Sequence, residues 1–187
     1  LLIAARFAAT IIHQDWLGFG PQKQFAVSQA KHDWVLCLDA DEWLSDTLIE
    51  SIQASLIEPA YYAFSMSRSN RFLGRFLKHG EAYPDDNIRL FHRQFAYWSN
   101  DMGHEKVVTS HHRPVGRLQG DLLHDSAESL DSYLDKQKRY TSLQAEKLVA
   151  EGKQVSVVKA IGSACFRFIK GYVFRLGFLD GFAGFVH

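Results

Sequence analysis

Six residues decide most of what this chain can fold into. Asp33-Trp34-Val35-Leu36-Cys37-Leu38 is apolar after its first residue and stops abruptly at Asp39-Ala40-Asp41-Glu42. So short and nearly continuous an apolar run is expected of a strand buried on both faces, as in a parallel α/β sheet. In extended backbone Asp39 and Asp41 point to the same side. Open α/β sheets place ligands beyond the carboxyl ends of their strands. Three carboxylates crowded there repel one another unless something positive sits between them. Hard divalent ions such as Mg²⁺ or Mn²⁺ suit this role, since they take oxygen ligands and are often held by one or two carboxylates plus substrate phosphates. The competing reading is a solvated acidic turn in which Glu42 favours the start of the next helix.

The flanks support an alternating α/β order. Residues 1–9 read as a helix end and 10–13 as a short strand. Trp16 to Pro21 is a turn-rich loop, with Pro21 placed to open a helix through about Lys31. After the acidic run, Ser45 is an N-cap and Asp46 a first-turn acid for a helix to about Ile57. Strands are expected over 61–67, 87–92 and 115–124, with a long basic loop at 68–86. Helical periodicity returns over 129–150, ending at Gly152, and again over 155–176.

With 187 residues the chain has room for one domain with a proper core. Lysine plus arginine equal aspartate plus glutamate at 21 each, which argues against a general polyanion binder; nucleic acid is not an expected partner. Cys37 and Cys165 both lie in apolar stretches outside any CxxC pair and are expected as buried thiols. No apolar stretch approaches the roughly 20 residues that span a bilayer. The opening Leu1-Leu2-Ile3-Ala4-Ala5-Arg6-Phe7 reads as a helix already under way, so the chain is expected to lack its beginning.

Gly18-Phe19-Gly20-Pro21-Gln22-Lys23-Gln24-Phe25-Ala26, followed by Asp33 to Glu42, resembles the central segment of family 2 glycosyltransferases. The likeness continues through Pro84 to Phe91 and His104-Glu105 to Leu123-His124. More narrowly it is similar to lipopolysaccharide-core β-1,4-glucosyltransferases. The resemblance implies a GT-A, Rossmann-like α/β fold: a mixed, mainly parallel sheet flanked by helices, N-terminally truncated and extended by C-terminal helices. A catalytic region is expected over 1–125, followed over 126–187 by a helical region whose amphipathic pattern points to membrane association. The resemblance further implies an inverting transfer of glucose, or a similar hexose, from a UDP-sugar to a lipid-linked oligosaccharide acceptor of the lipopolysaccharide inner core.

Carried onto this chain, the family's acidic motif makes Asp39 and Asp41 donor and metal ligands for Mg²⁺ or Mn²⁺. Lys23 matches a basic position near the nucleotide, and His124 a late histidine brought to the metal. An inverting transfer needs a carboxylate to take the acceptor's proton; Glu105 and Asp101 are the candidates, with Glu105 matching the family's His-Glu position. Arg71 and Arg89, among the basic residues Arg68 to Arg89, are candidate acceptor contacts, because arginine binds phosphate and carboxylate bidentately.

In the C-terminal segment Lys159, Ser163, Arg167 and Lys170 share one helical stripe, and Val155, Val158, Ile161, Cys165, Phe168, Ile169 and Tyr172 the opposite one. Such a helix fits the surface of an anionic membrane. The expected location is therefore cytoplasmic, peripheral on the inner face of the bacterial inner membrane. Two other readings stay open: a membrane-associated protein with an inactive GT-A fold, and a metal-dependent nucleotidyltransferase.

Overall fold

The structure, a computed structural model, describes residues 4, 6, 7, 9–100, 105–127, 129–152 and 156–186. In chain order the elements are helix α1 (Phe19–Ser28), strands β1 (Trp34–Leu36) and β2 (Glu42–Leu44), and helix α2 (Asp46–Ile57). Strands β3 (Ala63–Phe72), β4 (Arg75–Phe76), β5 (Asp85–His92), β6 (Ala96–Trp98), β7 (Val107–Thr109) and β8 (Gly116–Ala127) follow. Helices α3 (Leu130–Ala150), α4 (Val157–Phe168) and α5 (Gly181–Val186) close the chain, with a π-turn at Ile169–Phe174 between α4 and α5.

The main sheet runs β1-β5-β3-β8-β2, with β4 paired to β3 and a separate β6-β7 ribbon. It is mixed, as expected, but the balance differs from the expectation. Among the described residues β3-β8 is the parallel pairing, while β1-β5, β2-β8, β3-β4 and β3-β5 are antiparallel. Of these antiparallel pairs β3-β4 is joined by a short turn, whereas long stretches of chain separate β1 from β5 and β2 from β8, so the balance is set by which strands meet across the sheet and not by local turns.

Three apolar clusters fix the layers. Val27 of α1 packs with Val35, Ala63, Phe91, Trp98 and Val107 on one face of the sheet. Leu48 and Ile52 of α2 pack with Phe64, Met66, Leu90 and Leu122 on the other. The neighbours Ala63/Phe64 and Leu90/Phe91 thus point to opposite sides, as the two-residue strand period requires. α2 begins as anticipated: Ser45 Oγ accepts from Leu48 N at 3.3 Å and from Asp121 N at 2.9 Å, tying the cap to β8. Gly120 makes that approach possible. A Cβ there would stand 2.4 Å from Leu48 N, and its φ of +88° is one that few other residues adopt.

Several expectations change. Residues 10–13 carry no strand, and Ile11 and Ile12 are exposed. The expected basic loop at 68–86 is paired at both ends, because β3 runs on to Phe72 and turns into β4 and β5 begins at Asp85, while residues 77–84 remain a loop. Serine and asparagine at 67, 69 and 70 hid the period of β3. Cys165 is exposed on α4, while Cys37 is half-buried beside the core.

The C-terminal segment docks on the loop after β4. The buried Asp180 carboxylate accepts from the backbone N–H groups of Lys78 and His79 at 3.0 and 2.8 Å, and lies 3.1 Å from His79 Nδ1. Glu81 meets Lys170 and Arg175, and Ala183 joins Phe72, Leu77 and Ala82 in a third cluster.

Leu48 is fully buried where α2 meets the sheet. Leu48→Ala is expected to cost about 2–5 kcal/mol in urea unfolding. Val149→Ala, on exposed α3 surface, is expected to stay within about 0.5 kcal/mol. Equal effects would show that the α2 interface is not the core.

Candidate active site

β1 ends at Leu36 and the chain turns back through 37–41 into β2, which pairs with β8 so that Glu42 faces His124. The acidic run is therefore a turn rather than a strand end, and its three carboxylates diverge. Glu42 points inward, with a side chain fully removed from solvent. Its Oε1 accepts from Arg89 Nη2 at 2.6 Å and Arg68 Nη1 at 3.4 Å, and its Oε2 accepts from Asp39 N at 3.0 Å. A buried carboxylate needs such partners, since an unpaired charge in that place is strongly destabilising.

Asp39 turns toward α1 and β5. Its Oδ2 lies 3.1 Å from both Lys23 Nζ and Arg89 Nη2. Burial alone would raise this carboxyl's pKa, but the Arg89 guanidinium and Lys23 ammonium outweigh it and hold it below the ordinary value. With a lowered folded pKa, the stabilisation is present above the unfolded pKa and is lost as pH falls through the folded one. Lys23 and Arg89 both sit over the Trp98 ring, at 4.7 and 5.6 Å from its centroid, so the ribbon β6-β7 roofs this pair of cations. Burial pushes the neighbouring Cys37 thiol up, which keeps it a poor nucleophile near neutrality.

Asp41 faces the other way, half exposed, with Oδ2 3.3 Å from His124 Nε2. His124 is buried, and its Nδ1 lies 2.7 Å from Asn70 Oδ1. Asp39 and Asp41 thus share one turn but have different partners. Among the described residues no group of three or more His, Cys, Asp and Glu side chains is arranged to hold a metal. The pair that fits a cation is Asp41 with His124: two donor atoms 3.3 Å apart, against roughly 3 Å for adjacent ligands on a small octahedral ion with bonds of about 2.1 Å.

The remaining expected residues separate. Glu105 packs against the first turn of α1, where a Cβ on Gly20 would lie 3.4 Å from its Cβ and 2.2 Å from Ser99 O. Three residues along the same helix, Lys23 reaches Asp39, so α1 links the two. Asp101 lies outside the described residues. Arg71 is exposed on β3 and pairs with Asp125 at 3.4 Å. Arg89 does not serve as a surface acceptor contact: it is buried, and its guanidinium is committed to Asp39 and Glu42. Sequence reasoning placed Arg89 with the other arginines by charge alone; its apolar neighbours Ile88, Leu90 and Phe91 were the signal of an inward strand. It also passed over Asn70, Arg68 as a partner of Glu42, and Trp98, none of which belongs to a recognisable motif.

Between α1 and the edge strand β1 lies a cleft of about 400 Å³ that ends at Lys23 and Asp39. That volume is within the range of small-molecule sites.

Comparison with known proteins decides the family. Residues 2–115 match the model described as "Glycosyl transferase family 2". The chain belongs to that family. Its fold is accordingly GT-A, an α/β architecture with a mixed sheet and a helical C-terminal region. It is 34% identical to an uncharacterized glycosyltransferase of Rickettsia typhi, over 98% of this chain and 66% of the relative. A counterpart in Rickettsia prowazekii is 31% identical with the same coverage. A lipopolysaccharide core biosynthesis glycosyltransferase, LpsC of Rhizobium meliloti, is 28% identical over 98% of this chain and 68% of its own length. The chain thus spans about two thirds of the length of these relatives.

Glu42→Ala leaves Arg89 and Arg68 facing a buried void and is expected to lower stability by about 3–5 kcal/mol. Asp33→Ala, which removes a half-exposed pair with Arg93, is expected to cost about 1 kcal/mol or less. Chemical unfolding of the two variants measures the difference, and similar values would remove Glu42 from its central place.

Proposed function

We propose that the protein transfers glucose, or a similar hexose, with inversion, from a UDP-sugar to a lipopolysaccharide inner-core acceptor. The observation that carries this reading is the turn at 39–42, where one face offers Asp41 and His124 and the other holds Lys23 and Arg89 against Asp39. Positive and negative groups set side by side suit a diphosphate and its counter-ion. Asp41 and His124 would hold Mg²⁺ or Mn²⁺, with substrate phosphates completing the shell. When bound, the ion supplies Lewis-acid stabilisation of charge on the departing nucleotide. Asp39, held ionised by Arg89 and Lys23, orients Lys23 beside the cleft. Glu105 is the proposed base for the acceptor hydroxyl, and exposed Arg71 a proposed contact for acceptor phosphates or carboxylates. The similarity to LpsC, named for lipopolysaccharide core biosynthesis, supports the acceptor class.

In the full-length protein Asp41→Ala is expected to lower sugar transfer at least about 100-fold. Mn²⁺-dependent binding is expected to prefer UDP-glucose to nucleoside triphosphates. Radiolabelled transfer and calorimetric binding measure both. Undiminished transfer in the variant, or a preference for triphosphates, would discard this reading in favour of a nucleotidyltransferase or an idle fold.

The same reading includes docking on the cytoplasmic face of the bacterial inner membrane. Among the described residues no helix is long and apolar enough to cross a membrane. α4 instead leaves its apolar stripe in solvent: Val157, Val158 and Ile161 are 73%, 80% and 61% exposed, and no residue of the helix is buried. Lys159 and Arg167 lie on the opposite stripe, and residues 156–179 include no acid. An exposed apolar stripe with a basic fringe matches an anionic lipid surface. Co-sedimentation with vesicles containing anionic lipid is expected to fall in Ile161→Asp and to be weak with zwitterionic vesicles. Binding unchanged by either would reject the membrane assignment.

A further inference from the structure

Exposed apolar surface continues beyond α4. The chain folds back through the π-turn Ile169–Phe174, a 3₁₀ turn at Gly177–Asp180 and α5. The inner side of this fold is glycine backbone. A Cβ on Gly184 would stand 2.1 Å from Gly177 O, and one on Gly177 would stand 2.9 Å from Gly171 O. Backbone packed that closely leaves no room for rings between the turns, and they gather on the outer side instead. Phe168, Tyr172, Phe178 and Phe185 pack on one another with centroids 5.2–6.3 Å apart, joining the end of α4 to α5. Phe168, Phe178 and Phe185 remain about half in solvent, and Phe174 and Phe182 are 76% and 67% exposed. A connected apolar patch of this kind marks an interaction site.

The patch is fixed to the sheet beside the β3-β4 hairpin. Asp180 holds the backbone of Lys78 and His79, and Arg75 Nη1 donates to Asp180 O at 3.4 Å. Four exposed cations surround it: Lys170 and Arg175 from the segment itself, Arg75 and Lys78 from the hairpin and the loop after it. Glu81 meets the first two, which leaves a positive excess, and Asp180 is buried.

We propose that the aromatic platform of residues 168–185 and the β3-β4 hairpin form one contact surface for anionic lipid, which lays the hairpin end of β3 on the membrane. The proposal rests on the membrane reading of α4 and adds a second, oriented contact to it. Charge decides the occupant. A second copy of the chain would bring the same cationic fringe against itself, whereas anionic headgroups neutralise it while the rings settle at the acyl boundary. Arg71, paired with Phe76 in the same hairpin, is thereby held at the lipid surface, where a lipid-linked acceptor presents its sugars.

The test uses the full-length protein and vesicles of phosphatidylglycerol mixed with phosphatidylcholine. Hydrogen exchange is expected to show lipid protection over 73–78 and 169–185 as well as over α4. Co-sedimentation is expected to fall about 10-fold or more in Phe174→Asp/Phe182→Asp, and roughly 5-fold in Lys78→Gln. Protection confined to 157–168 overturns the proposal and leaves α4 as the contact. Binding unchanged in the double variant but lost in Ile161→Asp does the same. The converse, binding lost in the double variant and kept in Ile161→Asp, upholds the platform and removes α4 from the membrane reading. A wild-type protein that binds no vesicle rejects both. A double variant that keeps lipid binding but dissolves a wild-type dimer assigns the platform to a second copy and overturns the lipid assignment.

Discussion

The Glu42 carboxylate is the point from which the site is built. It gathers a guanidinium from β5, another from β3 and the backbone N–H of Asp39, so three segments far apart in sequence converge on one buried charge. Its position decides which way its neighbours face. With Glu42 turned in and β2 paired to β8, Asp39 is left beside Arg89 and Lys23, and Asp41 beside His124. Replacing such a buried network with apolar groups can be neutral for stability, but removing one member is not. The network's value here is directional: it assigns each carboxylate a side.

Parallel pairing of β3 with β8 complements this. The register Asn70↔His124 and Arg71↔Asp125 brings a polar row of one strand against a polar row of the other, next to the turn that carries Asp41. The same two strands also carry much of the apolar core, with Phe64 and Met66 on β3 and Leu118 and Leu122 on β8. Scaffold and chemistry therefore share the β3-β8 pair. The apolar clusters lie under α1 and α2, and the polar register runs along β3-β8 toward the acidic turn.

Much of this was legible in the sequence because the chemistry was local. The Ser45 cap and the α3 periodicity each sit within a few residues and obey one rule each. The apolar run before Asp39, expected as a strand buried on both faces of a parallel sheet, is instead the short edge strand β1, antiparallel to β5, with Leu38 exposed. What escaped was non-local. Arg68 and Arg89 look alike as letters, yet Arg89 is buried and Arg68 partly so, because the strand period at 67–70 is written in serine and asparagine rather than in apolar residues. Asp39 and Asp41 were expected to share a ligand because two-residue spacing puts side chains together on a strand; in a turn the same spacing sends them apart. The burial of Asn70 could not be read from sequence, since its partners are a carbonyl twelve residues on and a histidine on another strand.

Asp180 has a structural consequence of its own. Its carboxylate closes off two amide groups in a loop about a hundred residues upstream, and Ala183 caps the apolar cluster around Phe72 behind them. That same loop presents the Ala82 carbonyl to Asn70. The C-terminal helical segment is thus not a detachable tail but a buttress of the sheet. A protein shortened before residue 180 would expose donors at the back of the loop whose front holds Asn70 beside His124.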